Sequence, residues 1–212
     1  MSPSPSIGDR QDRPVAAIVL AAGRSTRMGG ENKLLAPLRG RPIVRIVAEA
    51  ALASSAAAVF AVTGHQREQV ETALAGLGVT LVHNPDFARG LSTSLRAGLA
   101  ALPPEIRGAL ILLADMPHVD ARLIDALIGA FQSSGEDAVI VPTIGGRRGN
   151  PVLWGRSHFT ALQQVTGDVG GRDVLRKLGG RVREFAVPPG PAFLDVDTPD
   201  QLKAVRSRFD AS

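Results

Sequence analysis

The chain has 212 residues, 44% of them hydrophobic, which suffices for a single sizeable core and makes two domains a stretch. Its formal charge of +4 and pI near 10.5 come without any run of five basic residues, and aromatics are only 4% with no Tyr. Nucleic acid is therefore the weaker partner, and the positive surplus reads as serving anionic small molecules. The absence of Cys excludes disulfides, thiolate metal sites and a Cys nucleophile.

Residues 1–13, rich in Pro and Ser and then charged, read as a disordered leader, and 14–212 as one domain. Residues 14–22 imitate a signal-peptide core behind Arg10 and Arg13. Asp9 and Asp12 cancel those charges, however, and the run leads into Arg24 and Arg27, so it is read as a strand of a cytoplasmic protein. No apolar stretch approaches the roughly 18 to 20 residues that cross a bilayer, so no membrane role is expected.

Ile18 to Leu20 read as a fully buried strand emptying into a glycine-rich loop. Gly23, Gly29 and Gly30 let the backbone approach a ligand closely, loop N–H groups can line an anion-binding concavity, and Arg24, Arg27 and Lys33 supply charge for phosphates. The spacing fits neither the P-loop nor the dinucleotide fingerprint. Downstream, Val59 to Thr63, Thr80 to His83, Ala109 to Leu113 and Ala138 to Val141 read as strands. Ile43 to Ala53, Gln66 to Leu77, Leu91 to Leu102 and Arg122 to Phe131 read as helices. That alternation predicts an α/β fold of three layers: a mostly parallel sheet, helices on both faces, and ligands at the carboxyl ends of the strands. After Val141 the rhythm changes to shorter, more polar segments, and this half is expected to hold an acceptor.

Asp115 ends an apolar strand beside the phosphate loop, where hard Mg²⁺ (or Mn²⁺) would be held with positions left for phosphate oxygens. The alternative, a helix cap, suits Asp120 better, at the entrance to Ala121. Asp195 and Asp197 stand two apart, so an extended strand would turn both to one cation. Asp197 or Thr198 would otherwise cap a helix starting at Pro199. Ser92 reads equally well as an N-cap or as part of a polar site. The Gly- and Arg-rich turns Gly145 to Asn150 and Gly167 to Arg172 read, taken alone, as solvated turns. His65, His83, His118 and His158 show no i, i+4 pair, and no Gly-x-Ser-x-Gly elbow occurs, so hydrolase readings lack support.

The run Leu20-Ala-Ala-Gly-x-Ser-x-Arg-Met-Gly-x-x-x-Lys33 resembles the signature of nucleotidyltransferases with a GT-A-like, Rossmann-like fold. The closest likeness is to the molybdenum cofactor cytidylyltransferases within the MobA-like group. Gly90 to Gly98, Leu112 to Pro117, Arg148 to Val152, Gly167 to Arg172 and Asp195 to Asp200 resemble that family's further blocks, in its order, and together span about residues 15–206. One departure is the three-residue spacer Gly30-Glu31-Asn32 before Lys33, where many relatives carry two residues.

The resemblance implies a nucleotide site formed by Leu20, Ala21, Ala22, Gly23, Arg24, Ser25, Arg27, Lys33, Gly64, Ser92, Ser94 and Asp115. It assigns Arg27, Lys33 and Asp115 to catalysis, Asp115 and Asp197 to the metal, and Arg148, Asn150, Asp168 and Arg172 to the acceptor. Ala22, where guanylyltransferases tend to carry Gly, leans towards CTP as donor. The implied reaction is attack by the phosphate of molybdenum-loaded molybdopterin on the α-phosphorus of CTP, releasing pyrophosphate. The product would be the molybdopterin cytosine dinucleotide cofactor, passed on to a molybdenum hydroxylase. The alternatives are another base or acceptor on the same scaffold (guanylyl transfer, or activation of a sugar or polyol phosphate) and a delivery protein without turnover.

Overall fold

The computed structural model describes residues 13–25, 32–168 and 171–210; the expected leader up to residue 12, and Arg27 with its neighbours 26–31, lie outside the described residues. The strands are β1 (Val15–Ala21), β2 (Pro37–Leu38), β3 (Arg41–Pro42), β4 (Ala58–Thr63), β5 (Thr80–His83), β6 (Gly108–Leu113), β7 (Val139–Ile144), β8 (Arg147–Arg148), β9 (Val152–Gly155) and β10 (Val182–Ala186). The α-helices are α1 (Ile43–Leu52), α2 (Arg67–Ala73), α3 (Leu91–Ala100), α4 (Ala121–Gln132), α5 (Phe159–Gln163), α6 (Arg172–Leu178) and α7 (Pro199–Asp210).

Every residue of β1 is buried, and its unbroken apolar sequence requires cover on both faces. Val15, Ala17, Val19 and Ala21 point to one core, closed by Val44 and Val47 of α1, Val70 of α2 and Ile124 and Leu127 of α4. Ala16, Ile18 and Leu20 point to the other, closed by Leu95 and Leu99 of α3 and by Phe159 and Leu162 of α5. The three-layer arrangement expected from the alternation is thus present. The sheet runs β10-β7-β9-β6-β1-β4-β5, with β8 paired to β7. β1 lies parallel to β4 on one side and to β6 on the other, while β9 enters antiparallel between β6 and β7. The antiparallel insertion is what the loss of rhythm after Val141 reflects.

The chain leaves β1 for β4 and β5 on one side and returns to β6 on the other. The crevice between the carboxyl ends of β1 and β6 is therefore the topological switch point, where open α/β sheets bind ligands. A third, smaller cluster joins Leu38 and Ile43 to Val196, Leu202 and Val205, seating α7 on the β2–β3 hairpin at this same end. Among the described residues no helix is long and apolar enough to cross a membrane.

Boundaries moved where a local signal was outweighed. The helix expected to reach Leu77 stops at Ala73, because Gly76 turns into the left-handed region at φ +80° and ends it. The strand expected to stop at Val141 continues through Pro142 to Ile144, the Pro142 carbonyl accepting from the Gly149 N–H at 2.9 Å. Asp120 caps α4 as expected, its carboxylate accepting from the Leu123 N–H at 2.9 Å.

Two glycines give opposite predictions. A Cβ on Gly155 would meet the Glu136 carbonyl oxygen at 2.0 Å, whereas Gly129, exposed on α4, has nothing within 4 Å. Gly155→Ala is expected to cost about 2 kcal/mol or more of stability in urea unfolding, through the forced backbone shift. Gly129→Ala should add about 0.5 to 1 kcal/mol by restricting the unfolded chain.

Candidate active site

β1 ends in Ala22 to Ser25, and the described chain resumes at Asn32. Ser25 sits at φ 50°, and its hydroxyl accepts from the Lys33 N–H at 3.2 Å while donating to Asn32 Oδ1 at 3.3 Å. Asn32 Oδ1 in turn accepts from the Leu34 N–H at 3.1 Å, capping the single 3-10 turn Lys33–Leu35. The two ends of the loop are thus stitched together, and Lys33 is fixed at the crevice despite the longer spacer.

The Lys33 ammonium donates to Asp115 Oδ2 and to Asp197 Oδ1, each at 2.5 Å. Asp115 follows β6, whose end is tied to β1 by the Ala114 N–H donating to the Leu20 carbonyl at 3.2 Å. Asp197 is delivered from the far end of the chain. The Val196 N–H donates to the Asp115 carbonyl at 3.0 Å, its side chain is buried in the third cluster, and Thr198 and Gln201 cap the start of α7. Residues 194–197 do not form the extended strand expected for Asp195 and Asp197. With Val196 anchored inward between them, Asp197 and not Asp195 joins Asp115 on the Lys33 ammonium, while Asp195 adds negative charge felt at Asp115.

Burial pulls the Lys33 ammonium pKa down, but the two carboxylates outweigh it and hold the pKa above its ordinary 10.5. At Asp115, burial pushes the carboxyl up. Lys33 pulls it down without cancelling that, and Asp197 and Asp195 push it up further, leaving it above 3.8. One oxygen, Asp115 Oδ1, is buried with no hydrogen-bond partner among the described residues. An orphaned carboxylate oxygen beside a second carboxylate is a donor set that suits a hard divalent cation. Among the described residues no group of three or more His, Asp or Glu side chains could hold a metal.

Lys33, Asp115 and Asp197 open onto a cavity of about 520 Å³ that also takes in Leu20, Ala22, Gly23, Arg24, Ser25 and Ser94. Ala21 and Ser92 are buried beneath it and do not line it. Gly64 packs against the loop from below, where an added Cβ would meet Ala22 and Phe87 at under 3 Å. Ser92 is not the N-cap of α3. The cap is Gly90 at φ +107°, with Asp168 Oδ1 accepting from the Leu91 N–H at 3.1 Å and the Gly167 carbonyl accepting from the Ser92 N–H. Sequence reasoning missed Phe87 in the wall and Asn84, whose buried amide donates to Thr93 Oγ1 at 2.8 Å and to Ser94 Oγ at 3.0 Å, setting the only α3 hydroxyl that faces the cavity. Of the residues expected at an acceptor, Asn150, Asp168 and Arg172 border a second cavity next to the first. Arg148 borders neither and pairs instead with Glu184 of β10 at 2.8 Å.

A family model, the MobA-like NTP transferase domain, matches residues 17–182. The chain belongs to that family. It is 38% identical over 146 residues to the bifunctional protein GlmU of Rhizorhabdus wittichii, covering 68% of this chain and 32% of that protein. The chain spans about a third of the length of the curated relatives it matches. Rv0371c from Mycobacterium tuberculosis superposes with a TM-score of 0.82 at 28% identity, covering 92% of this chain and 99% of that one, and it is also known in complex with manganese. A nucleotidyl transferase from Methanothermobacter thermautotroptrophicus superposes with a TM-score of 0.79 at 25% identity, covering 93% and 98% of the two chains.

The side chains of Lys33, Asp115 and Asp197 are only 12%, 16% and 30% exposed, so Lys33→Met strands two carboxylates in a poorly solvated place. The loss near neutral pH should be on the order of 1 to 3 kcal/mol by urea unfolding, below that of a wholly buried pair. The gap to the parent should close at both ends of the pH range. Above 10.5 the ammonium's contribution is lost as pH rises through its raised folded value; on the acid side the stranded Asp115 becomes protonated as pH falls through its raised folded value towards 3.8. A gap that does not vary with pH would contradict this.

Proposed function

We propose that this protein transfers a cytidylyl group from CTP to the phosphate of molybdenum-loaded molybdopterin, releasing pyrophosphate. The observation that carries the reading is the bridge of Asp115, Lys33 and Asp197 at the mouth of the phosphate loop, with one buried Asp115 oxygen left for a cation. Membership in the MobA-like family supports nucleotidyl transfer, and Ala22 in the cavity wall leans towards the cytidine base.

Asp115 and Asp197 would hold the divalent ion, Mg²⁺ or the Mn²⁺ known for the mycobacterial neighbour, which when bound supplies Lewis-acid polarisation of the α-phosphate. The Lys33 ammonium, which sits on both of these carboxylates, would then be available to the triphosphate. Lys33, Arg24 and, by resemblance, Arg27 then neutralise the charge that builds on the leaving pyrophosphate. Ser94, oriented by Asn84, faces the base side of the cavity with a hydroxyl that can donate or accept. The acceptor phosphate oxygen forms the new bond to the α-phosphorus as the bond to the bridging oxygen of pyrophosphate breaks. Because that phosphate is already ionised, the protein supplies no nucleophile or general base. Its contribution is to bring two anions together in line and hold them.

The test is pyrophosphate release from CTP, GTP and ATP with Mg²⁺ and molybdenum-loaded molybdopterin, run on the parent and on Lys33→Ala and Asp115→Ala. Turnover selective for CTP and reduced about a hundredfold or more in each variant is expected, the scale of losing one preorganised charge partner. Selective turnover with GTP or ATP would overturn the base assignment. No turnover with active cofactor would sink the acceptor assignment.

A further inference from the structure

α7 is fastened to the molecule differently from the other helices. Helices α1 to α6 all pack side chains into or against the two main cores, but among the described residues neither core takes one from α7. The helix rests on the third cluster, through the buried Leu202 and Val205 and the partly buried Phe209. The chain from Pro188 to Thr198 that leads into it pairs with no strand. Among the described residues one backbone hydrogen bond ties that stretch to the sheet, from the Val196 N–H to the Asp115 carbonyl at 3.0 Å. A helix docked on a small cluster behind an unpaired tether opens more readily than elements buried in the main cores.

Asp197 travels with this helix. Its N–H donates to Gln201 Oε1 at 2.8 Å, and the Gln201 N–H donates to Thr198 Oγ1 at 3.3 Å, so the carboxylate is built onto the first turn. The far turns of α7 lie over the roots of the other two site residues. Arg206 Nε donates to the Pro37 carbonyl at 3.2 Å, just downstream of Lys33, and the Phe209 ring stands 4.8 Å from that of His118, just downstream of Asp115. Docked, the helix places Asp197 Oδ1 2.5 Å from the Lys33 ammonium; undocked, it would carry the carboxylate away and leave Asp115 to serve the site. We infer that α7 is a clasp that docks and undocks as a unit, that Leu202, Val205 and Phe209 are positioning residues for Asp197, and that a divalent cation on Asp115 and Asp197 closes the clasp. The cation half rests on the proposed role of these carboxylates as metal ligands, whereas the docking half stands on the contacts alone. A cation that binds two carboxylates better than one shifts the docking equilibrium by that difference, and docking raises its affinity by the same factor.

Hydrogen exchange of the full chain, read by mass spectrometry on peptides covering residues 199–210, follows the docking directly. Without metal, Lys33→Met leaves two carboxylates facing each other, and exchange in α7 should speed up severalfold while β1 and β6 keep the parent's rates. Saturating Mn²⁺ should slow exchange in α7 of the parent by about tenfold and have no such effect in Asp197→Asn. In Mn²⁺ titrations followed by electron paramagnetic resonance, the double substitution Leu202→Ser/Val205→Ser should weaken binding about tenfold, although both side chains lie in the third cluster and not in the cavity wall. Added to Asp197→Asn it should weaken binding no further, because the helix acts through that carboxylate. Leu162→Ala, which opens a cavity in the core under α5, destabilises the fold without touching the clasp and should leave Mn²⁺ affinity at the parent's value. Arg206→Ala, at an exposed position, should speed exchange in α7 and serves if the double variant does not fold. Exchange in α7 as slow as in β1 and unmoved by Lys33→Met, an affinity lost equally in Leu162→Ala, or losses that add to that of Asp197→Asn would overturn the inference. Failure of the parent to bind Mn²⁺ would sink the cation reading, and faster exchange in Lys33→Met would still establish the clasp.

Discussion

A single ammonium holds the functional end of this molecule together. Lys33 reaches one carboxylate 82 residues away and another 164 residues away, so one contact fastens the β1 loop, the end of β6 and the segment entering α7. The arrangement is costly by itself, because two carboxylates are brought together where water is scarce. The raised pKa of Asp115 expresses that cost, and the raised pKa of Lys33 expresses what offsets it. A site that must be balanced by a cation can exchange that cation, and on the proposed function the lysine stands where a divalent ion would be held.

The fold makes this contact reproducible. β1, buried on both faces between two parallel neighbours, fixes where the loop begins, and the switch of direction at β1 and β6 opens the crevice into which the loop projects. The third cluster then does for the late segment what the sheet does for the loop. Burying Val196, Leu202 and Val205 against Leu38 and Ile43 holds α7 in place, and the Val196 N–H on the Asp115 carbonyl sets the reach of Asp197. Asp168 plays a comparable part on the other side, capping α3 from a distance while standing between the two cavities.

The strands, the layers and the loop with Lys33 and Asp115 were legible because their signals are local: an apolar run with no polar alternation, glycines after it, and a carboxylate where a strand stops. Asp197 could not be separated from Asp195 by spacing, since the choice depends on Val196 finding a distant cluster and not on strand geometry. Arg148 is an acceptor contact by resemblance only; the structure pairs it with Glu184 of β10, and a nonlocal ion pair leaves no trace in the sequence around it. Ser92 read as a cap because its residue type fits. Gly90 took that position, and the carboxylate that completes it belongs to Asp168 on another element. Asn84 was invisible for a similar reason, being a buried amide whose partners Thr93 and Ser94 stand on the next helix.

The most direct test of the central claim is a titration with Mn²⁺ followed by electron paramagnetic resonance on the parent, Lys33→Met and Asp115→Asn. If Lys33 occupies the cation's place between the two carboxylates, Lys33→Met binds Mn²⁺ about tenfold more tightly than the parent, and Asp115→Asn binds it more weakly. Equal or weaker binding in Lys33→Met would contradict the account.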